Sequence, residues 1–190
     1  MSGLIARDKS RRRIHHHILR QSLRESEWKY LSSKIIDRLV MTEEFKSASS
    51  IHTYVSMKKK REVFTIDLIN ACLDSDKKVI VPKIKSEGIL SHHQLSTLSS
   101  LSENKWGVME PTSDIEVDLP DDLLVIVPMV AADFMRNRLG YGKGYYDRFL
   151  NSLSFTKIGL CYSMNMNWTP LPVDSFDIKM DKVISEQFIL

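Results

Sequence analysis

The chain has 190 residues, 43% of them hydrophobic and 27% charged, with a formal net charge of +3. That composition excludes an intrinsically disordered chain, and a domain of this length buries roughly 70% of the surface its unfolded form exposes. No apolar run is long enough to span a membrane, and the start, MSGLIARDKSRRR, lacks the apolar core of a secretory signal.

From residue 8 to 24 there is no Gly or Pro, and Ile14, Ile18 and Leu19 predict a helix with a narrow apolar face. Its other face is very basic: between Arg7 and Arg24 stand seven Lys/Arg and one acid, Asp8. Such a patch suits a polyanion, either a nucleotide or a nucleic acid. Leu31, Ile35, Ile36 and Leu39 predict a second helix over 27–40.

The period then changes. SSIHTYVSM, β-branched and aromatic, reads as a strand, EVFTIDLINACLDS as a helix, and KKVIVPKI as a strand stopped by Pro82. Together they make a β–α–β unit with parallel strands expected. Residues 85–120 are less regular, with Gly107 and Pro111 marking turns. DDLLVIVPMVA predicts a strand buried on both faces. RNRLGYGKGYYDRFL passes from a glycine-punctuated loop into a helix, and KIGLCYS and MDKVISE add strands. The expected fold is a single α/β domain over 1–190, three-layered α/β/α, with a largely parallel central sheet behind two N-terminal helices.

Cys72 and Cys161 lie in apolar stretches and read as free buried thiols, which fits a reducing, cytoplasmic setting. The Arg-rich, acid-poor start leaves a mitochondrial address open. His15, His16 and His17 point in three directions on a helix and make a poor metal site. Lys58 to Arg61 is most simply a solvated loop, although it suits an acidic tail on a ligand.

The chemistry concentrates between Asp133 and Leu150. Gly140, Gly142 and Gly144 punctuate the loop between a buried strand and a helix, letting backbone amides approach a ligand closely. A helix N-terminus adds aligned N–H groups, and Arg138, Lys143 and Arg148 add positive charge, so the segment suits a phosphate. It matches neither the dinucleotide nor the Walker pattern. Asp147 beside such a cradle suits magnesium, which prefers one or two carboxylates plus phosphate oxygens.

The run Arg138-Leu-Gly-Tyr-Gly-Lys-Gly-Tyr-Tyr-Asp147-Arg-Phe-Leu150, after Val127-Pro128 and Asp133, closely resembles the signature of 5-formyltetrahydrofolate cyclo-ligases. The likeness extends to Lys9 and Arg13, to Ser56 with Glu62-Val63 and Thr65, to Trp106-Gly-Val-Met-Glu-Pro111, and to Asp177-Ile-Lys-Met-Asp181. The resemblance implies a NagB/RpiA/CoA-transferase-like fold. It also implies ATP- and magnesium-dependent closure of 5-formyltetrahydrofolate to 5,10-methenyltetrahydrofolate, by a monomer with no nucleic-acid or membrane partner.

By the same resemblance Arg138, Lys143 and Asp147 carry catalysis. ATP would meet Lys9, Arg13, Arg138, Gly140, Tyr141, Gly142, Lys143, Gly144 and Tyr146. The folate, with or without a polyglutamate tail, would meet Met57, Glu62, Trp106, Tyr145 and Tyr146, and magnesium would meet Asp147 and Asp177. From the residues alone, Lys9 and Arg13 fit a solvated basic face equally well, Glu62 a helix-end acid, Asp177 a cap, and the aromatics plain core. Two rivals stand beside this reading: an ATP-binding relative acting on another small amide or carboxylate, and a nucleic-acid module built on the basic helix. Met129, Ala132 and Arg136 stand where the family usually has Gly, Phe and Gly. They predict a loop that does without a positive φ there or takes another path, and a pocket short of one apolar wall.

Overall fold

The computed structural model describes residues 2–86, 88–151 and 154–190. Helices α1 (Ser2–Gln21), α2 (Glu25–Val40) and the short α3 (Glu43–Ser47) precede strand β1 (Ser50–His52). Then come α4 (Ile66–Leu73), a hairpin of β2 (Lys78–Ser86) and β3 (Ile89–Leu95), and a small hairpin of β4 (Leu101–Glu103) and β5 (Met109–Pro111). The remaining elements are β6 (Leu123–Val127), β7 (Ala131–Asp133), β8 (Arg138–Leu139), α5 (Tyr145–Leu150), β9 (Thr156–Leu160), β10 (Met166–Asn167) and β11 (Lys182–Ile184).

Six strands form the main sheet in the order β11-β9-β6-β1-β2-β3, with every pairing parallel except β2–β3. Alternation along β6 assigns its side chains to two cores. Leu124 and Ile126 pack with Trp28, Ile35 and Leu39 of α2 and with Leu68 and Ile69 of α4, whereas Leu123, Val125 and Val127 pack towards Leu150 of α5. Burial of all five residues confirms the reading of β6 as covered on both faces. The layer over the second face is thin, consisting of α5 and irregular chain. Beside the main sheet, β7 pairs with β8 and β10.

Three local expectations are corrected. Strand β2 runs through Pro82, which pairs with His92 of β3. Pairing to β1 ends at Ile80, so Pro82 has an open flank where its missing N–H leaves no partner unsatisfied. Strand β3 escapes the apolar pattern because its inward positions include Ser91 and His93, which satisfy each other at 2.9 Å, while His93 Nδ1 meets the Ile115 carbonyl at 2.8 Å.

The third correction concerns α1, which is turned over relative to its apolar stripe. Ile14 and Ile18 face solvent, and Lys9, His16 and Arg20 are buried. Lys9, Arg13, His16 and Arg20 lie at helical spacing on one face, and each is met by polar groups from later in the chain.

Candidate active site

Strand β6 ends at Val127, and the chain turns back through β7 and β8 before entering the glycine loop and α5. That path delivers Arg138, Gly140, Gly142, Gly144 and Asp147 to one cavity of about 630 Å³. Its opposite wall is Lys9 and Arg13 of α1 with Asp174 and Asp177 from the C-terminal segment. Gly142 has φ +90°, and a Cβ there would fall 3.0 Å from the Arg13 guanidinium carbon. The positive φ therefore calls for glycine, and any Cβ would in addition have to push the Arg13 guanidinium aside.

The charges in this cavity are held by one another. Lys9 Nζ donates to Asp174 at 2.8 Å and also to Asp177. Burial alone would lower the Lys9 pKa, but the two carboxylates more than offset it, and it stands above the ordinary lysine value. Arg13 Nε donates to the Gly140 carbonyl at 2.7 Å. Burial lowers the Arg13 pKa, opposed by attraction from both Asp177 and Asp147, so this guanidinium feels both acids. Arg138 Nη2 donates to Asp147 Oδ1 at 2.5 Å, and that oxygen also accepts the Ile178 N–H at 3.3 Å. Four cationic side chains and three carboxylates thus line a glycine-rich cradle.

This donor set fits magnesium held together with phosphate oxygens, because Asp147 and Asp177 both face the cavity beside the cradle. Each carboxylate is engaged by a cation, so a metal and a polyphosphate would exchange partners with existing ion pairs. Arg138 Nε and the Tyr146 hydroxyl are buried without a hydrogen-bond partner among the described residues, and of the two residues Arg138 lines the cavity.

A second cavity, of about 470 Å³, is lined by Ser56, Met57, Lys58, Lys59 and Arg61 from the segment after β1, and by Glu103, Gly107 and Met109 of the β4–β5 hairpin. Trp106, at the tip of that hairpin, is 60% exposed. Its loop is fixed by Asn104, whose Oδ1 accepts the N–H groups of Trp106 and Val108.

The sequence-predicted residues therefore divide. Lys9, Arg13, Arg138, Gly140, Gly142, Gly144, Asp147 and Asp177 share the first cavity, and Met57 lines the second. Lys143 is exposed on the loop outside the first cavity's lining, and its carbonyl accepts from Arg148. Tyr145 begins α5, half-buried. Tyr146 packs edge-on to His52 and Phe149, and burial pushes its hydroxyl pKa up. Glu62 is 3% exposed and lines neither cavity. Its Oε2 accepts the Met57 N–H at 2.6 Å, and its Oε1 accepts the Tyr141 hydroxyl at 2.5 Å. Burial raises its pKa, against the pull of Arg20 and these two donors.

One residue lining the first cavity, Asp174, and one buried behind the two cavities, Arg20, were not singled out by the sequence. Asp174 shares Lys9 with Asp177, and the three-residue spacing to Asp177 was its only mark. Arg20 counted only as one of many basic residues. At the unusual positions, Arg136 does adopt φ +65°, so the path is kept and a non-glycine residue occupies it. Met129 lies over Gly159, where a Cβ would fall 1.9 Å from the Met129 methyl carbon. Ala132 is fully buried and lines neither cavity, so no wall of either is missing at this point.

Comparison with known proteins shows the family and the fold. The model of the 5-formyltetrahydrofolate cyclo-ligase family matches residues 6–186. A probable 5-formyltetrahydrofolate cyclo-ligase of Schizosaccharomyces pombe is 30% identical, over 84% of this chain and 85% of that protein. The solution structure of an Aquifex aeolicus 5,10-methenyltetrahydrofolate synthetase superimposes with a TM-score of 0.82 at 34% identity, covering 95% of this chain and 91% of the other. A Mycoplasma pneumoniae 5,10-methenyltetrahydrofolate synthetase gives 0.72 at 25% identity, over 94% and 99%.

Proposed function

Because the chain belongs to the 5-formyltetrahydrofolate cyclo-ligase family, we propose that it converts 5-formyltetrahydrofolate and ATP to 5,10-methenyltetrahydrofolate, ADP and phosphate. The observation that carries the ATP half of this reading is the cavity in which the glycine loop, Lys9, Arg13, Arg138, Asp147 and Asp177 converge.

In this reading the formyl oxygen attacks the γ-phosphorus of ATP and the bond to ADP breaks. Nitrogen 10 of the folate then attacks the activated carbon, the carbon–oxygen bond breaks as phosphate leaves, and nitrogen 10 loses its proton. Such a reaction needs positioning and charge stabilisation more than a covalent nucleophile. Arg138, Arg13 and Lys9 supply the positive charge, Lys143 on the exposed loop would have to turn inward to add its own, and the amides around Gly142 cradle the phosphates. Asp147 and Asp177 would hold magnesium, which would neutralise charge on the phosphate oxygens. The folate would take the second cavity, over Met57 and under the hairpin that carries Trp106 at its tip, with the carboxylate of Glu62 buried behind Met57; Tyr145 and Tyr146 would meet it from α5.

The test is the absorbance of methenyltetrahydrofolate, followed in purified protein with 5-formyltetrahydrofolate and magnesium, with and without ATP. An ATP-dependent rise is expected. No rise while ATP still binds would transfer the site to another small amide or carboxylate substrate.

A further inference from the structure

Arg20 is spent entirely inside the protein. It is 2% exposed, and its guanidinium donates to the Lys60 carbonyl at 2.6 Å, the Met129 carbonyl at 3.0 Å and the Tyr141 hydroxyl at 2.7 Å. One side chain of α1 thereby ties the 58–61 turn, the turn after β6 and the glycine loop together. Tyr141 passes the connection on by donating to Glu62 Oε1, and Glu62 Oε2 takes the N–H of Met57. The Glu62 carbonyl is fixed in turn by Trp28 Nε1 at 2.5 Å and the Tyr162 hydroxyl at 3.2 Å.

The two ends of this chain lie in different cavities. Gly140 and Gly142, the neighbours of Tyr141, line the phosphate cradle, and Met57 lines the second cavity. Tyr141 belongs to the cradle by sequence, yet its hydroxyl goes to the buried Glu62. A shift of the loop therefore cannot leave the Met57 amide untouched without breaking a buried, charge-assisted hydrogen bond.

We propose that Arg20, Tyr141 and Glu62 couple the two cavities, with Arg20 as a positioning residue, so that filling one cavity orders the other and tightens its ligand. The inference rests on the reading of the cavities as ATP and folate sites. Coupling of this kind is reciprocal, and typical values span roughly 5- to 150-fold in affinity. A coupling towards the lower end of that range, about 10-fold, is expected here.

Calorimetric titration of the intact protein with 5-formyltetrahydrofolate, with and without a non-hydrolysable ATP analogue and magnesium, tests the proposal. The wild-type folate Kd should tighten about 10-fold with the analogue, and in Tyr141→Phe the ratio should fall to near one. Arg20→Lys keeps the charge but cannot reach three acceptors. It should lower the ratio while each ligand alone binds within about 3-fold of wild type, a split that general loosening of the structure would not give. A wild-type ratio of one, or an unchanged ratio in both variants, overturns the coupling and leaves the functional reading standing. A wild-type protein that binds only one ligand, or neither, overturns that reading and the coupling with it.

Discussion

The cavity against α1 and the cavity under the β4–β5 hairpin differ in how their walls are made. The first is walled by glycines and paired ions, and most of its loop-side residues come from the single run Arg138 to Asp147. The second is walled by Met57, Met109 and the stems of lysines and an arginine, brought together from segments more than forty residues apart in sequence. A cavity of ions is poised for exchange, because each carboxylate can trade a side-chain cation for a metal. A cavity of thioethers and aliphatic stems offers shape and adaptability to a flat ring system. The comparison predicts that the two will fail differently when mutated.

The largest failure is expected at Asp147. Asp147→Ala should lower kcat by on the order of 10³-fold, the loss typical of removing an electrostatic contact to the transferring group. It should also leave the almost buried Arg138 without its carboxylate, costing about 3 kcal/mol and on the order of 10 °C in Tm. Asp147→Asn keeps an acceptor for Arg138 and should retain most of the stability while remaining inactive. Turnover and thermal melting of the pair separate chemistry from folding, and magnesium-dependent turnover by either variant would remove the metal role.

Gly142→Ala and Trp106→Ala set the two cavities against each other. Alanine at φ +90° is strained and meets Arg13 at 3.0 Å, so about 1–3 kcal/mol of stability should be lost. The KM for ATP should rise about 10-fold, equivalent to ~1.4 kcal/mol of binding, with the KM for folate rising less, only as far as Tyr141 and Glu62 transmit the change. Trp106→Ala should do the opposite, raising the folate KM by up to about 10-fold, since an aromatic contact is worth about 0.5–1.5 kcal/mol. Steady-state kinetics with each substrate varied in turn would show the crossing pattern. Parallel changes in both constants would mean that the cavities do not divide the substrates.

The same difference explains what was legible in the sequence. Gly140 to Asp147 could be read because loop, glycines, acid and helix start are contiguous, and each residue type has a local reason to be there. The central strand β6 was equally plain from its unbroken apolar run. The second cavity was only partly legible, because Met57 and Met109 are brought to it from segments far apart in sequence by packing that no local pattern encodes. Helix α1 misled for a related reason: its inner face is chosen by ion pairs to Asp174 and Asp177 and by hydrogen bonds to distant loops, so apolar periodicity points outward. Glu62 was visible as a candidate carboxylate, but its buried partners Tyr141 and Arg20 stand 79 and 42 residues away in opposite directions.

A smaller effect should separate the α1 side of the site by pH. Burial, together with the positive charges of Arg20, Lys60 and Arg13 and the neighbouring His16, lowers the His17 pKa to about 4. In the unfolded chain it titrates near 6.5. Below that value the unfolded state takes up a proton that the folded state refuses until about pH 4. Stability is therefore lost as pH falls from 6.5 towards 4. Because the ring is only half-buried, the loss attributable to His17 is about 1 kcal/mol after allowing for solvent screening. His17→Gln should flatten the pH dependence of Tm by that amount. His92, also lowered to about 4 mainly by burial, would keep part of the slope together with His16 and His52, which burial lowers as well.

The smallest effect concerns the turn that feeds the cradle. Arg136 holds φ +65°, which favours glycine, and its neighbours are arranged to hold it there: Asp133 Oδ1 accepts the N–H groups of Met135 and Asn137, each at 2.9 Å. Arg136→Gly would relieve about 1 kcal/mol of backbone strain. Against this stand the greater freedom of glycine in the unfolded chain, about 0.5–1 kcal/mol, and the bond from Arg136 Nη1 to the Asp181 carbonyl at 3.0 Å. That bond is largely solvent-exposed and worth about 0.5 kcal/mol. The terms nearly cancel, so a change within about 0.5 kcal/mol is expected, measured as a shift of one or two degrees in Tm. A loss of several kcal/mol would mean that Arg136 anchors the C-terminal segment bearing Asp177, making this turn part of the ion cavity rather than only its approach.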